Sequence, residues 1–193
     1  MATANTHKVA EIQQLLQTSY EIISLQAIGC LEEIPETADT LEGNALQKAW
    51  YVYDNYHQNC FSDDTGLEIE ALNGRPGVFS ARYAGEAKDA GANIRKVLAE
   101  MNGMTNRKAC FRTVIAIILD GKAYCFEGRV DGTLLEEERG AGGFGYDAIF
   151  LPEGHSRSFA EMSLEEKSKL SHRGNAVQKL NAFLRERNSI TGM

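Results

Sequence analysis

The sequence predicts one α/β domain, a twisted mixed β-sheet flanked by helices. Three observations carry that expectation. A chain of 193 residues suffices for one domain with a sizeable core, or for one domain divided into two lobes, so a single domain is placed over 1–193. Hydrophobic residues make up 43% and charged residues 24%, an ordinary globular composition that is neither disordered nor membrane-like. Apolar residues recur at helical spacing in some segments and crowd into short β-like runs in others.

The opening residues, 1–17, read as a very short strand, a turn from Thr3 to Thr6, and a helix with Val9, Ile12, Leu15 and Leu16 on one face. Thr3 and Asn5 stand where capping groups belong. Lys8 falls in the first turn, at the positive end of the helix dipole, where a cation is unfavourable unless an anion is close. A phosphate would remove that penalty; an ordinary capped surface helix accounts for the same residues. A second strand is expected over 20–27, followed by the acidic loop Glu32-Glu33-Ile34-Pro35-Glu36. The helix over 40–56 buries Leu41, Ala45, Ala49, Val52 and Tyr56. Lys48 lies on or beside that face, so it must snorkel to the surface or find an anionic partner.

Residues 61–85, FSDDTGLEIEALNGRPGVFSARYAG, hold the densest chemistry. A short strand is expected to end on Asp63 and Asp64 and to turn at Thr65-Gly66. Neighbouring side chains of a strand point to opposite faces, so both acids can serve one site only if the backbone turns there. Asp64 is taken as the working acid and Asp63 as support of the turn. An ordinary solvated turn uses the same residues. Asn73-Gly74-Arg75-Pro76-Gly77 forces a second turn, after which Arg82 and Tyr83 return a basic and an aromatic residue.

A helix over 89–101 follows, then apolar runs over 110–119 and 123–130 joined at Asp120-Gly121, which read as an antiparallel hairpin. Gly140, Gly142 and Gly145 formally spell GxGxxG, but residues 146–151 look like a strand where a dinucleotide fingerprint needs a helix. These glycines instead suit a tight bend or a close backbone approach to a ligand. Ser163 to Glu166 forms a capping box with Lys167 directly after it, and Ser171 caps a final helix that begins with His172 and Arg173. Three helix starts thus carry cations at the unfavourable end of the dipole, and a shared bound anion is the economical explanation.

Net charge is −7, so the overall field repels nucleic acid, and a polyanionic ligand needs a local basic pocket. No run is long enough to span a bilayer and no secretory signal opens the chain, so no membrane partner is expected and the location is cytoplasmic. Cys30, Cys60, Cys110 and Cys125 lie far apart and are expected as buried free thiols. The four histidines show no zinc spacing.

The string over 61–85 closely resembles the signature of the inosine triphosphate pyrophosphatase family, which removes pyrophosphate from non-standard purine nucleoside triphosphates. Thr3, Asn5 and Lys8 match that family's Thr-x-Asn-x-x-Lys turn, although only Met1 and Ala2 precede it where the family has a longer strand. Glu36 and Lys48 match its metal-binding glutamate and phosphate-binding lysine. Phe144-Gly145-Tyr146-Asp147 match its base-recognition motif, with Ala148 where a proline is usual, and Lys167, Ser171, His172 and Arg173 match EKxxxSHR. The resemblance runs in motif order from Thr3 to about Gly174.

It implies two lobes around a central nucleotide cleft and Mg²⁺-dependent hydrolysis of ITP, dITP or XTP to the monophosphate and pyrophosphate. Asp64 would be metal ligand and general base, and Glu36 the other metal ligand. Thr3, Asn5, Lys8, Lys48, Thr65, Arg82, Phe144, Gly145, Tyr146, Asp147, Lys167, His172 and Arg173 would contact substrate, and a homodimer is implied. Two rivals are a silent triphosphate-binding sensor, which releases no pyrophosphate, and a general metal-dependent phosphatase, which releases orthophosphate.

Overall fold

The computed structural model describes residues 1–3, 5–16 and 22–191, with side chains through 187. Among these residues the elements run α1 (Thr6–Leu16), α2 (Leu41–Tyr56), β1 (Cys60–Ile69), α3 (Ala90–Glu100), β2 (Lys108–Leu119), β3 (Lys122–Leu134), β4 (Phe150–Pro152), α4 (Leu164–Leu170) and α5 (His172–Thr191). Short 3-10 turns lie between several of them.

The strands form one sheet in the order β1-β2-β3-β4, and it is antiparallel where the sequence suggests a mixed sheet. Asp120 and Gly121, both at positive φ, close the β2–β3 hairpin as its twist requires. β1 and β2 also run oppositely: Asn59 exchanges hydrogen bonds of 3.0 and 3.2 Å with Asp120 at one end, while Glu68 meets Cys110 and Arg112 at the other. A helix between two strands often marks a parallel crossover. Here the chain leaves α3 and enters β2 beside the far end of β1, so the direction reverses.

β2 is buried along nearly its whole length, which its run of valine and isoleucine permits, whereas β3 alternates between exposed and half-buried positions. Packing divides the chain into two compact units, one of Met1–Asp64, Thr113–Gly128 and Arg173–Met193, the other of Thr65–Arg112 and Arg129–His172. In the first, Ile115 and Ile117 share one face of β2 and pack with Ile12 and Leu16 of α1 and with Val177 and Leu180 of α5. In the second, Leu67, Ile69 and Phe111 pack with Ile94 and Val97 of α3 and with Ile149, Phe150 and Phe159.

The helix expectations hold because their caps are real. Thr40 Oγ1 accepts from Gly43 N at 3.0 Å, Asp89 Oδ1 accepts from Ala92 N at 3.1 Å, and Ser163 and Glu166 form the reciprocal box at the start of α4. Four differences concern function less directly. The expected strand over 20–27 falls partly outside the described residues, and the described part holds a 3-10 turn at Gln26–Ile28. There Ser24 Oγ accepts from Ala27 N, while Leu25 and Ile28 pack half-buried beside Ala2, Val52 and Cys60 and Ile23 stays exposed, so the apolar residues gain partial cover without a ladder. Residues 146–151 begin with a 3-10 turn, Asp147–Ile149, before β4. The expected opening strand does not form as a strand: Ala2 N donates to Phe61 O at 2.7 Å, and the Met1 amino group to Ile23 O at 2.9 Å. Cys30, Cys60 and Cys110 are buried thiols, but Cys125 is exposed. No helix among the described residues is long and apolar enough to cross a membrane.

The consequential difference is at Thr65-Gly66, where β1 does not turn but continues to Ile69. Gly66 is needed for another reason: a Cβ there would lie 2.6 Å from the Gly77 carbonyl oxygen and 2.9 Å from its carbon. Gly66→Ala therefore forces backbone apart in a packed region and should lower stability by about 1–3 kcal/mol, read from the midpoint of urea unfolding.

Candidate active site

Because β1 is continuous, Asp63 and Asp64 point to opposite faces of the strand, and each acid meets its own cations. Asp63 is 0% exposed; Lys8 Nζ lies 3.0 Å from its Oδ2, and Arg173 Nε and Nη2 lie 3.4 Å from the same oxygen. Arg173, 1% exposed, also donates through Nη1 to Glu11. Glu11, Arg173, Asp63 and Lys8 form a chain of alternating charge with no net excess. Burial by itself would raise the Asp63 carboxyl, but Lys8, Arg173 and Lys48 hold it down at about 2.

Local structure explains how these groups arrive. Asn5 caps α1 by accepting from His7 N at 3.0 Å and Lys8 N at 3.2 Å, and Thr3 Oγ1 accepts from Asn5 N at 3.2 Å. That fixes Lys8 in the first turn. At the unfavourable end of the dipole Lys8 and Arg173 both face one internal carboxylate, Asp63, and Arg173 also meets Glu11.

On the other face, Asp64 Oδ1 lies 3.5 Å from Lys48 Nζ, which also donates to Glu36 Oε1, and Asp64 Oδ2 accepts from Asn44 Nδ2 at 3.2 Å. Lys48 thus takes the second of its two options, an anionic partner. Burial raises the Asp64 carboxyl, with Lys48 and Lys8 opposing it. Burial works to lower Lys48, yet Asp64, Glu36 and Asp63 leave it raised. Ser62, next along β1, donates its hydroxyl to Ala45 O and so ties the strand to α2.

Glu36 and Asp64 supply hard carboxylate oxygens on either side of one ammonium, and the Glu36 side chain is 31% exposed. No group of three or more His, Cys, Asp or Glu suited to a metal occurs among the described residues. A pair of carboxylates fits Mg²⁺, which usually takes one or two from protein and completes its shell with water and phosphate.

The second unit gathers a different set. Gly143, at φ 71°, leads into the 144–147 loop, and a Cβ there would lie 2.3 Å from Asp147 Oδ2. Asp147 Oδ2 accepts from Phe144 N at 2.8 Å and from Lys167 Nζ at 2.7 Å, with the acid and the lysine each 4% exposed. The Lys167 ammonium stands 4.7 Å from the Phe144 ring centre and 5.7 Å from that of Phe159. The His172 ring stacks on Phe111 at 4.7 Å and 18°.

Of the residues singled out from sequence, Lys8, Glu36, Lys48, Asp64 and Arg173 come together in the first unit, with Thr3 and Asn5 shaping the turn before Lys8. Phe144, Asp147 and Lys167 come together in the second. Gly145, at φ 61°, shapes the same loop. Thr65 is half-buried on β1, and Arg82 ends a 3-10 turn with its guanidinium 5.5 Å from the Phe79 ring centre. Tyr146 is a core residue whose hydroxyl donates to Ser80 O at 2.8 Å.

Three contributors escape a reading by sequence. Asp63 looks like a turn residue there but is a buried counter-ion; Glu11 and Asn44 were not singled out at all. Their signal was position. Glu11 adjoins Ile12 on the inward side of α1, and Asn44 lies between Leu41 and Lys48 on the inward side of α2.

Fold and clusters together define an α/β protein whose buried lysines and arginine are each matched to a carboxylate. More particularly, the chain belongs to the Ham1 family, whose profile matches residues 1–183. It is 56% identical over 184 residues to a dITP/XTP pyrophosphatase of Porphyromonas gingivalis, covering 95% of each chain, and 45% identical over 188 residues to one of Bacillus subtilis, again covering 95% of each. Among solved structures it resembles the Ham1 protein of Staphylococcus aureus, with a TM-score of 0.88 and 36% identity over 96% of this chain and 97% of that one.

Asp63→Asn would leave Lys8 and Arg173 facing a neutral amide in a buried place, and should cost about 3–5 kcal/mol of stability in urea unfolding. A carboxyl depressed from about 3.9 contributes stability that is present above that value and lost as pH falls through the folded value near 2. The variant should therefore lose less stability than the native chain between pH 4 and pH 2.

Proposed function

We propose that this protein is a nucleoside-triphosphate pyrophosphatase. It hydrolyses dITP, XTP and ITP at the α–β anhydride, giving the monophosphate and pyrophosphate, and so clears non-standard purines from the nucleotide pool. Two relatives that share 56% and 45% of its residues over nearly their whole length bear the name dITP/XTP pyrophosphatase, which supports the substrate class. The observation that carries the chemistry is Asp64, buried and held between Lys48 and Asn44 with Glu36 beside them.

Hydrolysis of an anhydride requires neutralised phosphate oxygens, an oriented water and a group to take its proton. Lys8 and Lys48 would bring positive charge to the triphosphate, with Thr3, Asn5, Thr65 and Arg82 as further polar contacts. Mg²⁺, held by Glu36 and Asp64, would supply the remaining neutralisation of phosphate charge. Asp64 would accept the proton of the attacking water. Burial favours that uptake, since it raises the affinity of this carboxylate for a proton.

The base would be met in the second unit, by the ring of Phe144 and the loop through Gly145 and Tyr146, and by the polar groups of Asp147, Lys167 and His172. Arg173 would reach the substrate only by exchanging the partners it has here, Glu11 and Asp63. We assign the protein to the cytoplasm, as a homodimer with no nucleic-acid or membrane partner.

The deciding experiment incubates the purified chain with ITP, dITP or XTP and Mg²⁺ and quantifies pyrophosphate and orthophosphate separately, with ATP and GTP as controls. Pyrophosphate with inosine monophosphate, and little from the controls, is expected. Orthophosphate would instead favour a general phosphatase, and binding without product a silent sensor. Asp64→Asn should fold normally by thermal unfolding and lose about 10²- to 10⁴-fold in turnover; near-native turnover would remove Asp64 from the role of base.

A further inference from the structure

We infer that Asn44 is a positioning residue that fixes the Asp64 carboxylate against the segment carrying Glu36. Its role rests on the reaction proposed above. Asn44 is 1% exposed on the inward face of α2, in the same helical repeat as Leu41, Ala45 and Lys48. Asparagine is a poorer helix former than alanine or leucine, and a buried amide needs partners. It has one on each side.

Asn44 Nδ2 donates to Asp64 Oδ2 at 3.2 Å, and Asn44 Oδ1 accepts from Ala38 N at 2.9 Å. Chemistry alone dictates this orientation. A backbone N–H can only donate, so the amide oxygen must face Ala38; the amino group then faces Asp64, which can only accept when ionised. One turn along the helix, Gln47 grips the preceding residue: its Oε1 accepts from Thr37 N at 2.9 Å and its Nε2 donates to Thr37 Oγ1 at 2.9 Å. Gly43 permits the close approach, since a Cβ there would lie 2.6 Å from Ala38 Cβ. Both backbone amides that follow Glu36 are thereby pinned to α2.

Lys48 cannot do this work. Its ammonium is a point charge with rotating donors, so it attracts Glu36 and Asp64 without fixing the rotation of either carboxylate. A planar amide bonded on both sides fixes a direction. It makes the two Asp64 oxygens inequivalent, with Oδ2 held by a neutral donor and Oδ1 turned toward Lys48. One side chain thus sets the carboxylate that would take the proton and, through Ala38, the segment bearing the second carboxylate.

The test compares the native chain, Asn44→Leu, Asp64→Asn and the double variant in two ways: hydrolysis of ITP with Mg²⁺, and urea unfolding with neither metal nor nucleotide. Leucine keeps the branched heavy-atom skeleton, at somewhat larger volume, and removes both hydrogen bonds. Asn44→Leu should lower kcat by at least about tenfold with KM within about threefold, because the orientation matters in the transition state more than in binding. In the Asp64→Asn background the same change should have little further effect on turnover, and the unfolding midpoints should be non-additive. Should Asn44→Leu fail to fold, Asn44→Asp keeps the acceptor for Ala38 N, opposes Asp64 with a like charge, and should lower kcat further still.

A kcat within about twofold of native, an equal loss in both backgrounds, or additive unfolding midpoints would each overturn the positioning role. Absence of pyrophosphate from the native chain would overturn the reaction instead. The metal-free unfolding cycle would then still decide whether residues 44 and 64 are coupled.

Discussion

The period of a β-strand is the constraint on which the first unit depends. Two consecutive aspartates on a continuous strand must face opposite ways, so the chain has to provide counter-charge on both faces of β1 at once. It does so from three helices: Lys8 in the first turn of α1 and Arg173 in the first turn of α5 serve Asp63, and Lys48 in the middle of α2 serves Asp64. A turn after Asp64 would have relaxed this requirement. Gly66 prevents one from being needed, because the strand can run on beneath the Gly77 carbonyl without a side chain in the way.

Taking these groups out of water carries a desolvation penalty of several kcal/mol per ion, and mutual attraction offsets it only when geometry is good and hydrogen bonds complete the shell. The two acids differ in that respect. Asp63 faces two cations and stays ionised far below the ordinary carboxylate range. Asp64 shares its one close cation with Glu36, and burial pushes it the other way. Adjacent residues of identical chemistry are thereby separated in proton affinity by environment alone. Asp63 is suited to permanent charge, and Asp64 to gaining and losing a proton.

The helices were legible in the sequence where periodicity or caps announced them: Thr40 and Asp89 cap the helices that the apolar repeats suggest, and the Ser163–Glu166 box starts α4 by itself. The β2–β3 hairpin was legible because Asp120-Gly121 is a turn with its own chemistry. The course of β1 was not, since Asp-Asp-Thr-Gly has turn composition and only the close approach of Gly77 explains the glycine otherwise. The apolar residues near 20–27 misled for the opposite reason, as Leu25 and Ile28 pack half-buried beside Val52 without strand pairing and Ile23 is left exposed. In the site, Lys8, Lys48 and Asp64 could be found from type and spacing. Glu11 and Asn44 could not be given a role that way, because what they do depends on Arg173 and Ala38, brought to them by the fold.

On the proposed reaction, the second unit would extend the same logic to the base. Lys167 and Asp147 are an ion pair almost wholly withdrawn from solvent, an arrangement that contributes little net stability and is better understood as holding a donor beside an acceptor above an aromatic ring. On the proposed reaction, a 6-keto purine offers an acceptor at O6 and a donor at N1, which complements such a pair. Adenine offers a donor at N6 and an acceptor at N1, so both buried groups would meet their own kind, and an unmatched buried polar group is costly enough to discriminate strongly. Guanine carries the same 6-keto edge. Its exclusion would therefore have to come from contacts around its 2-amino group, while the Lys167–Asp147 pair would discriminate against adenine.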